Sequence, residues 1–142
     1  RQAVERCGLT AVQLHGAEPP GFCDEVPVPV VKTIKVGTGF GWEAAEPYRG
    51  HVAALLLDTD SRKGSGGTGE TFAWQLVTST PEWAPVVVAG GLNPVNVGAA
   101  IKLLTPFAVD VSSGVEERPR CKDRHRVEAF VSAVRAADGE VR

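Results

Sequence analysis

No methionine occurs in this sequence, tyrosine appears once, and cysteine is limited to three scattered residues. No apolar run approaches the ~20 residues that a membrane-spanning helix requires. The opening stretch, RQAVERCGLT, lacks the apolar centre of a secretion signal. Cys7, Cys23 and Cys121 form no CxxC pair. That argues against a zinc site and for free thiols in a reducing, cytoplasmic setting. Excess charge is lacking too: the net charge is −2, which offers no footprint for nucleic acid or a membrane surface. What is present, 43% hydrophobic residues over 142 positions, suits one globular domain with a sizeable core. A helix-like segment that begins mid-stride at Arg1, with no methionine before it, leads to the expectation of a piece of a longer protein.

Apolar stretches and helical patterns alternate along the chain. Ala3, Val4 and Cys7 share a helical face that Gly8 can close with a left-handed cap. Leu9–Leu14 and Val28–Val36 read as strands, with a Pro-rich connection and a short helix between them. A glycine loop and a short helix over Trp42–Tyr48 follow, and then a third strand, Ala53–Leu57, leading into Asp58. Thr71–Val77 reads as helical, with Phe72 and Leu76 on one face. The fourth strand, PVVVAGGL, precedes Asn93-Pro94, an N-cap followed by proline at the first helical position. Val97, Ala100, Ile101 and Leu104 would form that helix's inner face. FAVDVSSG is the fifth strand, and a last helix near Asp123 would bury Val127, Phe130, Val131 and Val134. Strands apolar along their whole length, alternating with helices, mean an α/β fold with a parallel sheet covered by helices. Polar or glycine residues follow every strand: His15, Lys35, Asp58, Gly90 and Ser112. An open sheet concentrates its site at one switch point, so this spread favours part of a (βα)8 barrel.

Gly64, Gly66 and Gly69 satisfy GxGxxG after a strand. A dinucleotide site needs an acid about 20 residues further on, where Ala89-Gly90-Gly91 stands instead. A P-loop fails as well, because Glu70-Thr71 follows Gly69 in place of Lys and Ser/Thr. A flap over a ligand and a plain glycine linker are the readings that remain. Gly90-Gly91 and Ser112-Ser113-Gly114, at the ends of successive strands, are more specific. Glycines allow close approach of backbone N–H donors to a phosphate, and serine hydroxyls add donors; taken singly, each is an ordinary turn. Asp58 follows three leucines, a partly desolvated setting that suits a general acid, although a cap or an ion pair is the blander role. Gln13 and His15 alternate with Val12 and Leu14 and so share one face, the interior mouth in a barrel. For His15, a structural role and a ligand contact stay equally open. Lys32 and Lys35 fall on opposite strand faces, so at most one faces a substrate and the other is expected to snorkel.

Together VQLHG (Val12–Gly16), VVKTIKV (Val30–Val36), LLLDT (Leu55–Thr59), GSGGTGETFAW (Gly64–Trp74), AGGLNPVNV (Ala89–Val97) and VDVSSGVE (Val109–Glu116) resemble the phosphoribosylanthranilate isomerases of tryptophan synthesis. The motifs stand in family order over nearly the whole chain. Ala73 replaces a common aspartate and Val95 a common glutamate. The resemblance implies an Amadori rearrangement of an aminoaldose to an aminoketose, without cofactor or metal. It implies Asp58 as the general acid at the ribose ring oxygen and phosphate binding at Gly90, Gly91, Ser112 and Ser113. Gln13 and His15 become substrate contacts, and the partner is a small phosphorylated molecule, with neither nucleic acid nor membrane.

Cys7-Gly8-Leu9-Thr10 looks like the family's motif for a basic cysteine on the first strand, but only Ala11 separates it from VQLHG. In the family two further βα units intervene. The resemblance therefore implies that residues 1–142 are the carboxyl-terminal portion of a single barrel domain, strands four to eight. The base and the arginine for the anthranilate carboxylate would be absent, and the fragment inactive. A non-catalytic phosphate-binding partial barrel is the alternative, and a relative of indole-glycerol-phosphate synthase a weaker one.

Overall fold

The computed structural model describes residues 1–59, 76–77 and 79–141. The glycine run at Gly64, Gly66 and Gly69, and most of the helix expected over Thr71–Val77, lie outside the described residues. Five strands, β1 (Val12–Leu14), β2 (Val30–Val36), β3 (Ala54–Thr59), β4 (Val86–Val88) and β5 (Ala108–Val109), form one sheet in chain order. All four pairings are parallel. Each strand lies beside its sequence neighbour, so the sheet has no reversal point; that is barrel topology and not the doubly wound kind. Among the described residues the α-helices are α1 (Gln2–Cys7), α2 (Pro20–Asp24), α3 (Val97–Leu104) and α4 (Arg124–Val141). An antiparallel hairpin, β6 (Glu116–Arg118) with β7 (Cys121–Lys122), stands where a plain loop was expected.

Alternation divides the side chains of the sheet between two layers. Ile34, Val36, Leu55, Leu57, Val86 and Val88 are buried against Val97, Ala100, Ile101 and Leu104 of α3 and Phe130 and Ala137 of α4. Leu55 and Leu57 are fully buried, each contributing roughly 1.5–3 kcal/mol relative to exposure. The four α3 residues are those the helical period selects. On α4 the expectation fails in part: Val127 is 38% and Val131 40% exposed. The buried stripe runs Phe130, Ala133, Val134 and Ala137, an i, i+3, i+4, i+7 pattern whose flanks hold the two valines.

Four of the five strands are shorter than the apolar runs, for local reasons, whereas β3 runs on through Asp58 to Thr59. Gly8 (φ 61) closes α1 as expected, but the Leu9 amide then donates back to the Val4 carbonyl at 3.0 Å, so it is spent on the cap and the strand begins at Val12. Over Trp42–Tyr48 two 3-10 turns replace the single helix, because Pro47 has no N–H to donate. The regular part of α3 begins at Val97, three residues beyond the expected start at Pro94. Asn93 still caps that end: its side-chain oxygen accepts from the amides of Val95 (2.8 Å) and Asn96 (3.2 Å).

Candidate functional site

The carboxyl ends of β3, β4 and β5, together with Gln13 of β1, line a cavity of about 230 Å3. Gln13 from β1, Asp58 from β3, Gly90 and Gly91 after β4, and Ser112 and Ser113 after β5 all line it. Six of the seven residues selected from the sequence are thus brought together. The exception is His15, which is exposed just beyond β1 and does not line the cavity.

Two loops form the polar floor. Gly90 (φ 76) and Gly91 (φ 71) both take left-handed backbone, a conformation that makes glycine the suited residue at each. The turn is fixed from below: the Asn96 side chain donates to the Gly91 carbonyl at 3.0 Å and accepts from the Asn93 amide at 2.8 Å. Gly114 presses against this loop so closely that a Cβ there would stand 1.8 Å from the Leu92 carbonyl oxygen. The two turns are therefore packed backbone to backbone. Side chains on other strands stiffen the rest; Gln13 Nε2 donates to Thr33 Oγ1 at 3.1 Å.

Asp58 sits in register with Lys35 on the adjacent strand, and the two make an ion pair at 2.5 Å. The carboxylate side chain is 33% exposed, more open than three preceding leucines suggest. The alternation explains this: Leu55 and Leu57 point into the helix layer, whereas Asp58 follows Leu56 toward the cavity. The expected snorkelling of the second lysine is also corrected. Lys32 is 2% exposed, and its ammonium donates to the Gly16 carbonyl at 2.7 Å and to Glu18 Oε2 at 2.8 Å. Glu18 Oε1 accepts from the Gly16 amide at 3.1 Å, and Tyr48 donates to the Glu18 carbonyl at 2.8 Å. The hydrogen bond from Lys32 holds the Glu18 carboxyl below the ordinary carboxylate range. This pair, with Lys32 buried and Glu18 26% exposed, anchors the loop that carries His15.

One charged cavity residue, Asp110, escaped the sequence reading, whereas Gly114 belonged to the serine–glycine motif already selected. Asp110 brings a second carboxylate to the site, and Gly114 makes the close approach between loops. Alternation along FAVDVSSG, which sets Asp110 on the same side as Ser112, was the available signal for Asp110. Among the described residues no group of three or more His, Cys, Asp or Glu is arranged to hold a metal ion. Among them, too, no helix is long and apolar enough to cross a membrane.

A parallel sheet in chain order, with its cavity at the carboxyl ends of the strands, defines an α/β protein of the (βα)8-barrel kind. Residues 1–133 match the family pattern described as N-(5'phosphoribosyl)anthranilate (PRA) isomerase. The N-(5'-phosphoribosyl)anthranilate isomerase of Geobacter metallireducens is 43% identical over 135 residues, 95% of this chain and 66% of that protein. The isomerase of Myxococcus xanthus is 47% identical over 139 residues, 96% of this chain and 65% of that protein. The crystal structure of phosphoribosyl anthranilate isomerase from Thermotoga maritima superposes with a TM-score of 0.82 at 38% identity, covering 95% of this chain and 66% of that one. The chain belongs to the PRA isomerase family, and it spans about two thirds of the length of these relatives.

Proposed function

We propose that this chain forms the acid and phosphate-binding part of an N-(5'-phosphoribosyl)anthranilate isomerase. The observation that carries the reading is one cavity holding Asp58 together with the Gly90–Gly91 and Ser112–Ser113 turns. A phosphate seated on those turns would receive backbone and hydroxyl donors. The sugar would then extend toward β3, where Asp58 protonates the ring oxygen as the ring opens. Lys35, bonded to the same carboxylate, must yield or share it when the proton is delivered. Gln13, which lines the cavity, contacts the substrate from β1. A related phosphoribosyl anthranilate isomerase has been crystallised with reduced 1-(o-carboxyphenylamino)-1-deoxyribulose 5-phosphate and superposes with a TM-score of 0.78. That complex supports a small phosphorylated ligand.

In this reading β1–β5 are strands four to eight of one barrel domain, and further βα units close it. Two findings support this: the chain matches about two thirds of each relative, and the described strands leave β1 and β5 at the two edges of the sheet. The general base belongs to the units that close the barrel. Cys7 is a poor candidate, because it is exposed on α1 and leads into the amino end of β1, whereas Asp58 stands at the carboxyl end of β3.

The test is conversion of freshly made phosphoribosylanthranilate, followed by loss of its fluorescence above spontaneous hydrolysis. The 142-residue chain alone should be inactive, and adding the amino-terminal βα units of a relative should restore turnover. Robust activity of the chain alone, abolished by Asp58→Asn, would place a base within these residues and overturn the partial-barrel reading.

A further inference from the structure

The β6–β7 hairpin contributes no lining residue to the cavity, yet its last residue reaches back to the serine turn. Lys122 Nζ donates to the Ser112 carbonyl at 2.8 Å and lies 3.4 Å from Ser112 Oγ. The same ammonium bonds Glu116 Oε1 at 2.8 Å, and Glu116 Oε2 accepts from the Arg120 amide at 3.2 Å. On the other side of the turn, the Asp123 amide donates to the Val115 carbonyl at 2.8 Å, and the Arg126 guanidinium donates to the Glu116 carbonyl. Residues on both sides of Ser113–Val115 are thus tied to one ammonium and to the start of α4.

The electrostatics of the cavity make this bracing matter. None of its described lining residues is cationic, and two of them, Asp58 and Asp110, are carboxylates. An anion held there depends on backbone and hydroxyl donors that are already in place, since ordering them on binding would cost affinity. The ammonium of Lys122 is itself shared with Glu116, so it adds little net charge. We propose that Lys122, held by Glu116, is a positioning residue that fixes the Ser112–Gly114 turn for phosphate binding. This rests on the phosphate reading of the cavity.

The test is titration of inorganic phosphate into this chain, followed by the amide signals of Gly90, Gly91 and Ser112–Gly114. Lys122→Met should weaken phosphate about tenfold, the scale of a lost charge-assisted hydrogen bond. Lys122→Arg, which can reach both acceptors, should stay within about threefold. Glu116→Gln separates bracing from simple charge. It removes a negative charge, so a purely electrostatic role predicts tighter phosphate, whereas loss of the brace predicts weaker. Equal affinity in the wild type and Lys122→Met, an arginine as poor as methionine, or tighter binding in Glu116→Gln would each overturn the proposal. If Lys122→Met loses its native amide dispersion, the other two variants decide. Should phosphate move no cavity amide in the wild type, the phosphate reading falls first and the positioning role with it.

Discussion

Asp58 and the Gly90–Gly91 turn end adjacent strands and line one cavity, yet they are built on opposite plans. At the end of β3 the chemistry resides in a side chain, and the neighbouring side chain, Lys35, sets its surroundings. At the ends of β4 and β5 it resides in the backbone, and glycine is used for what it omits. The lesson is that the two halves should fail differently. Substitution on the side-chain half should remove chemistry and keep shape, whereas substitution on the backbone half should disturb shape and thereby lose the anion.

The largest expected effect is on the side-chain half. Within a completed barrel, Asp58→Asn should lower turnover by ~10²–10⁴, the usual contribution of a general acid; near-normal turnover would end that assignment. Next comes the anchor of the β1–α2 loop. Glu18→Ala leaves the Lys32 ammonium buried without its carboxylate and should cost about 3 kcal/mol in urea unfolding. A cost below 1 kcal/mol would mean that the loop is held in some other way. Gly91→Val places a β-branched residue at φ 71 and should cost about 2 kcal/mol while weakening phosphate; unchanged phosphate affinity would blur the division between the halves. The pH profile sharpens it further. The Glu18 carboxyl is depressed in the folded state by the Lys32 hydrogen bond, so its stabilising contribution is complete above the unfolded value of about 4.3. It is lost as pH falls through the lower folded value. Glu18→Gln should flatten this acid arm below about pH 4, and an unchanged arm would assign it to other carboxylates. The smallest effect belongs to Cys7→Ser, which alters an exposed helix residue and should shift stability by less than about 0.5 kcal/mol.

The sequence made the strand order and the cavity legible because both rest on local patterns. Apolar runs locate β1–β5, and Val97, Ala100, Ile101 and Leu104 declare their helical face by spacing alone. The glycine and serine turns were readable because their residue types are chosen for backbone conformation. What could not be read depends on partners far along the chain. Lys32 is buried through Gly16 and Glu18, 16 and 14 residues away, and strand parity says which face it takes but not what waits there. The Lys35–Asp58 pair is set by the register between β2 and β3, which no local pattern fixes. The hairpin after Val115 was missed because two short, charged strands carry no hydrophobic alternation. Val127 and Val131 were misassigned for the converse reason: α4 is long, and its periodicity alone does not say where the edge of the stripe falls.

The most direct test of this division of labour is the phosphate dissociation constant of Asp58→Asn and of Gly91→Val, measured side by side against the wild type by amide shifts. The account predicts a constant no weaker than the wild type for Asp58→Asn and one at least about tenfold weaker for Gly91→Val. Loss of phosphate binding in Asp58→Asn, with binding intact in Gly91→Val, would contradict it.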